Sequence, residues 1–149
     1  MALELIVFIV LVFTVFFNNG VQAYIHYEAY PLFAYVGKPE FATYLKEYEG
    51  RLTVPLLLPY GLTLLSNLVL LLIHPAKLTI IMVIVSFVVN ASVAAVTMSI
   101  ATPVYERVKQ SGQALPKDME QLMRINLLRL ILSTVASLIV VFMLLTVMS

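Results

Sequence analysis

Two residues of this sequence bring side chains suited to chemistry into or beside long apolar runs: His26 and Arg129. An imidazole titrates near neutrality, which makes His26 a candidate general base. Arg129, with Asn126 three residues before it, offers a cation and an amide that together can stabilise a developing oxyanion. Each residue also has a plainer reading. A histidine outside any motif is commonly a hydrogen-bonded interior residue, and an arginine near the end of a membrane helix commonly snorkels its guanidinium outward. The other course for Arg129 is to turn inward and pair with Glu28, Glu106 or a ligand oxygen.

Further polar residues recur at helical spacing. Asn19, Gln22, His26 and Tyr30 lie 3, 4 and 4 residues apart, so at about 100° per residue they share one stripe. Tyr60, Thr63, Asn67 and His74 form a second stripe, Ser86, Asn90 and Thr97 a third, and Asn126, Arg129, Ser133 and Ser137 a fourth. Polar groups are costly in hydrocarbon and usually face the interior of a bundle, so four such stripes point to a common polar interior. Its candidate ligand contacts are Asn19, Gln22, Tyr30, Tyr60, Asn67, Asn90 and Thr97. In its sharpest form the expectation puts Gln22, His26, Tyr60, Asn90 and Arg129 around one space. The bland alternative is that Thr63, Asn67, Ser86, Asn90, Thr97, Ser133 and Ser137 bond across helices, each contributing about 0.6 kcal/mol. Ala91, Ala95 and Ser99 have the small-xxx-small spacing that lets a neighbouring backbone approach, which favours a tight helix pair there.

Other chemistries lack their residues. With no cysteine, the chain has no disulfide, thiolate zinc site, cysteine-held iron–sulfur cluster or thiol nucleophile. His26 and His74 fall at opposite ends of the apolar runs, about 30 Å apart, too far to ligate one haem. No Glu-x-x-His pair of the di-iron bundles, no Gly-rich phosphate loop and no catalytic-serine motif occurs. No metal and no cofactor is therefore expected, and without a basic cluster nucleic acid is not an expected partner.

The elements that must position these residues are membrane helices. The chain is 62% hydrophobic and 11% charged, against about 25% charged in soluble proteins. A hydrocarbon core of about 30 Å needs roughly 20 apolar helical residues, and residues 3–24, 54–73, 78–101 and 127–148 meet that length. They are apolar all round, unlike the alternating segments of a β-barrel. The expected fold is all-α: an integral membrane four-helix bundle in a single transmembrane domain, residues 1–149. Val21–Gln22–Ala23 offers a signal-peptidase-like site, but the preceding segment carries Glu4 and no Lys or Arg, so the first span is expected to be retained.

Pro31 should end or kink the first helix near Tyr30. Gly37 suits a left-handed turn and Pro39 the first turn of a new helix. Phe41, Tyr44, Leu45 and Tyr48 fall at i, i+3, i+4 and i+7, which predicts a short amphipathic interfacial helix over about 39–49, ended by Gly50. Thr53 would cap the second span, with Pro55 in its first turn and a kink at Pro59. His74–Lys77 is a tight turn, Pro103 closes the third span, and Gln110–Pro116 is a linker. Eight of the nine Lys and Arg residues fall on the side of the first and third connections, leaving only Lys77 on the other. That bias places those connections in the cytoplasm and both termini outside, in an inner or plasma membrane.

Pro31–Leu32–Phe33, Pro103–Val–Tyr–Glu–Arg107 and Asn126–Leu–Leu–Arg129 resemble, in order and placement, elements of the anthrone-oxygenase-like family of small four-helix membrane proteins. The resemblance implies a four-helix fold and, in a few members, oxidation of an anthrone-type aromatic polyketide by dioxygen. The tryptophan often found before the Asn-x-x-Arg element of that family is missing here. The expected function is binding of a hydrophobic small molecule in a polar cavity on the cytoplasmic side. An oxygenase would use His26 as the base and Arg129 with Asn126 as enolate stabilisers. The alternative is an accessory or structural subunit of a larger membrane complex. Expected partners are the lipid bilayer, the small molecule, and either further copies of the chain or that complex.

Overall fold

Four long helices account for nearly the whole chain in the computed structural model, which describes residues 2–149; among these there is no strand. The helices are α1 (Leu3–Phe33), α2 (Lys38–Leu72), α3 (Ile80–Ser111) and α4 (Pro116–Met148), each long and apolar enough to cross a membrane. They run up and down in a ring, in which α1 packs on α2 and α4, and α3 on α2 and α4. At about 1.5 Å per residue they measure about 46–52 Å, well beyond a hydrocarbon core of about 30 Å. The surplus lies at one end, where every charged residue except Glu4 and Lys77 is found; we call it the polar end.

The interior is layered along the bundle axis. At the end bearing the chain termini, Phe8, Leu11, Val15, Leu70, Val83, Val140 and Met143 form an apolar cluster. At the polar end, Ile25, Phe33, Phe41, Leu45, Val104, Val108 and Leu122 form another. Between them all four helices contribute buried polar residues: Asn18 and Gln22, Thr63 and Asn67, Ser86 and Asn90, Asn126 to Ser137. The lipid-facing surface is dominated by Leu, Ile, Val and Phe.

The polar-end core explains why residues 39–49 are helical but do not lie flat on a bilayer. They open α2, with Gly37 as its extended N-cap (φ −60°, not left-handed) and Pro39 in its first turn. The helix then runs unbroken through Gly50, Thr53, Pro55 and Pro59. A mid-helix glycine costs about 1 kcal/mol, whereas burying Phe41 and Leu45 against Phe33, Val104 and Leu122 contributes roughly 1.5–3 kcal/mol each. Packing therefore outweighs the breaker. Thr53 caps nothing; its hydroxyl donates to the Glu49 carbonyl at 2.6 Å.

Two π-helical turns interrupt the regular helices, Ile25–Ala29 in α1 and Thr97–Ala101 in α3. Each is closed by an i to i−5 bond, Tyr30 N–H to the Ile25 carbonyl and Thr102 N–H to the Thr97 carbonyl, and each ends two residues before a proline, Pro31 or Pro103. A proline within a helix clashes with the carbonyl four residues back, and a wider turn makes room for its ring. This is how α1 passes Pro31 and continues to Phe33, and α3 passes Pro103 and continues to Ser111. Gly112, at φ 62°, then turns the chain into α4. The small-residue face of α3 is not used inside the bundle: Ala95 and Ser99 are exposed.

Candidate functional site

Beyond Thr97, α2 and α3 part. They pack closely over Ile80–Val96, while the polar end of α3 leans on α4 instead. The gap is a cleft of about 170 Å³. Its back wall is Ile25 and Tyr30 of α1 with Arg129 of α4, and its sides are Tyr48, Glu49, Leu52, Thr53 and Leu56 of α2 and Thr97, Ala101, Thr102 and Tyr105 of α3. Both π turns thus border it. It opens sideways between the exposed Thr53 and Thr102. Across its rim Lys109 of α3 donates to both carboxylate oxygens of Glu49 on α2, at 3.0 Å each.

Arg129 does not snorkel. It is 3% exposed, makes no ion pair with Glu28, Glu106 or any other carboxylate among the described residues, and lies beside the phenols of Tyr30 and Tyr60. Gln22 Nε2 also donates to the Tyr60 hydroxyl, at 3.1 Å, and Asn126 Nδ2 donates to the Gln22 backbone carbonyl at 3.0 Å. Residues from α1, α2 and α4 thereby form one polar network beside Arg129.

Three of the sequence-derived candidates line the cleft: Tyr30, Thr97 and Arg129. Gln22, Tyr60 and Asn126 stand behind it in the network just described. The remainder are elsewhere. Asn19 accepts from the hydroxyls of Ser133 and Thr134 at 2.9 and 3.2 Å, tying α1 to α4. Asn67 and Asn90 donate to carbonyls of their own helices, those of Thr63 and Ser86. His26 is half-buried, edge-on to Tyr27 at 4.9 Å between ring centres, and does not line the cleft. Of the five residues expected around a single space, only Arg129 lines this one. The inward line of α1 runs Thr14, Asn18, Gln22, Ile25, Ala29, so Asn19 and His26 stand one residue off its centre.

Several participants carry no sequence signal of their role. Asn18 donates to Thr63 at 2.9 Å, and the Thr63 and Thr14 hydroxyls are 2.9 Å apart; beside Asn19, it could not be told which asparagine faces inward. Tyr48 belongs to the amphipathic face of α2, yet that pattern does not reveal that its ring sits edge-on to Phe33 at 5.1 Å with its hydroxyl buried. Tyr105 follows Pro103 in what reads as connection. Comparison of the chain with protein families, with curated proteins and with solved structures finds no match.

Proposed function

We propose that this chain is a membrane-embedded binding protein for an amphiphilic small molecule, whose head group enters the cleft between α2 and α3 at the polar end. The observation that carries this reading is Arg129, a buried cation with no carboxylate partner among the described residues, at the wall of the cleft. Buried charges are costly unless paired, so a site that keeps one offers it to something that comes and goes. A cleft of about 170 Å³ is smaller than the roughly 300–1,000 Å³ of pockets that enclose a whole drug-sized ligand. It suits a head group, with the apolar remainder lying along the lipid-facing side by Leu52 and Leu56. On the orientation expected from the Lys and Arg bias, the cleft serves the cytoplasmic leaflet.

The anthrone-oxygenase-like resemblance supplies the catalytic form of this reading. In that form His26 takes an acidic C–H proton, Arg129 and Asn126 stabilise the enolate, and dioxygen converts the CH2 carbon to a carbonyl with release of water. It requires His26, which does not line the cleft, to turn toward it and Asn126 to leave the Gln22 carbonyl. The form stands or falls with His26→Ala: oxygen consumption with an anthrone substrate should vanish while the fold survives, and unchanged consumption removes His26 from any catalytic role. The exposed Ala95 and Ser99 face favours the second reading, a subunit docked on another membrane helix. Gentle extraction separates the two, because an accessory subunit travels with unlike chains and a binding protein leaves the membrane alone or with its own copies.

A further inference from the structure

Three buried hydrogen-bond donors line the cleft with no partner among the described residues: the hydroxyls of Tyr48 and Tyr105 and the Nε–H of Arg129. Nearly all buried polar groups in proteins find a partner, so three unused ones in a single small cleft mark a place where a partner is meant to enter. What they lack is an acceptor. Arg129 cannot accept at all and keeps its charge. Of the other polar groups of the cleft, the hydroxyls of Thr53, Thr97 and Thr102 donate to carbonyls of their own helices, Glu49 is held by Lys109, and the Tyr30 phenol lies beside Arg129.

We infer that the cleft receives a monoanionic oxygen head group, of the carboxylate or phenolate kind, with Arg129 Nε, Tyr48 Oη and Tyr105 Oη as its donors. This rests on the amphiphile-binding reading and adds the charge and chemistry of the head. One guanidinium balances one negative charge, and a phosphate dianion would leave an uncompensated charge beside Glu49. Arginine pairs with oxyanions through short, charge-assisted hydrogen bonds, and two phenol donors complete three-point recognition. Such an anion reaches the cleft from the bilayer, as a fatty carboxylate, or from solution, as an aromatic carboxylate.

The test uses the full chain in nanodiscs of zwitterionic lipid and equilibrium binding of three probes: oleate, oleyl alcohol and 2-naphthoate. Oleate should bind at least about tenfold more tightly than oleyl alcohol, the order expected for a hydrogen-bonded charge. That preference should collapse to about twofold in Arg129→Gln and in the double variant Tyr48→Phe/Tyr105→Phe. Should Arg129→Gln fail to fold, the tyrosine variant decides alone. Naphthoate binding as tightly as oleate assigns the ligand to the aqueous side, and binding of oleate alone assigns it to the bilayer; both keep the anion. Equal binding of oleate and oleyl alcohol overturns the anionic head but leaves the amphiphile reading in place, as does an oleate preference that survives both variants. Binding of none of the probes overturns both.

Discussion

Arg129 is the residue whose position the bundle's own stability explains least. Its guanidinium is buried beside the phenols of Tyr30 and Tyr60 with no carboxylate partner among the described residues, and replacing a buried charge by an apolar side chain of similar length is often neutral or stabilising. Arg129→Met should therefore leave thermal unfolding in detergent within about 1 kcal/mol of the parent, or raise it. A loss of about 3 kcal/mol or more would show instead that the guanidinium holds the bundle together. Thr63 is the contrasting case. It accepts from Asn18 and reaches Thr14, so Thr63→Val should cost about 1 kcal/mol in the same measurement, and no change would remove this chain of bonds from the stability of the α1–α2 pair. At this scale the sequence reveals which residue types are buried but not their phase. Asn18 and Asn19 are both compatible with Gln22 at helical spacing, and only packing decides that Asn18 turns inward.

The helices are legible in the sequence wherever apolar runs decide the outcome, and not where a local breaker or cap opposes tertiary packing. Gly50 and Thr53 read locally as an end and a start, yet α2 passes through both because Phe41 and Leu45 have a core to enter. Since the chain has no native cysteine, spin labels introduced at Lys38 and Leu72 report on this directly. An unbroken helix gives a separation of about 50 Å, whereas a segment lying flat on the bilayer gives a much shorter and broader distribution. Pro31 and Pro103 were readable as disturbances, but a sequence does not say whether a helix answers a proline by ending, kinking or widening. Here it widens, and the two widened turns border the cleft. π turns of this kind often coincide with functional sites.

For the whole molecule, the four-helix membrane architecture follows from composition and hydropathy alone, because only helices or closed barrels satisfy the backbone in lipid. The cleft does not follow from them, since it arises from the divergence of α2 and α3 beyond Thr97, which no pattern in either helix records. Orientation is a separate matter, carried by eight of nine basic residues at the polar end: an alkaline phosphatase fused at Ser149 should be active and a fluorescent protein fused there dark, and the reverse would invert the bundle. A binding protein of this kind has its cleft occupied in the membrane. Native mass spectrometry of the gently extracted chain tests that most directly. The parent should carry an amphiphile that survives transfer to the gas phase and is missing from Arg129→Met, while bare chains in both proteins, or either chain arriving bound to unlike subunits, would contradict it.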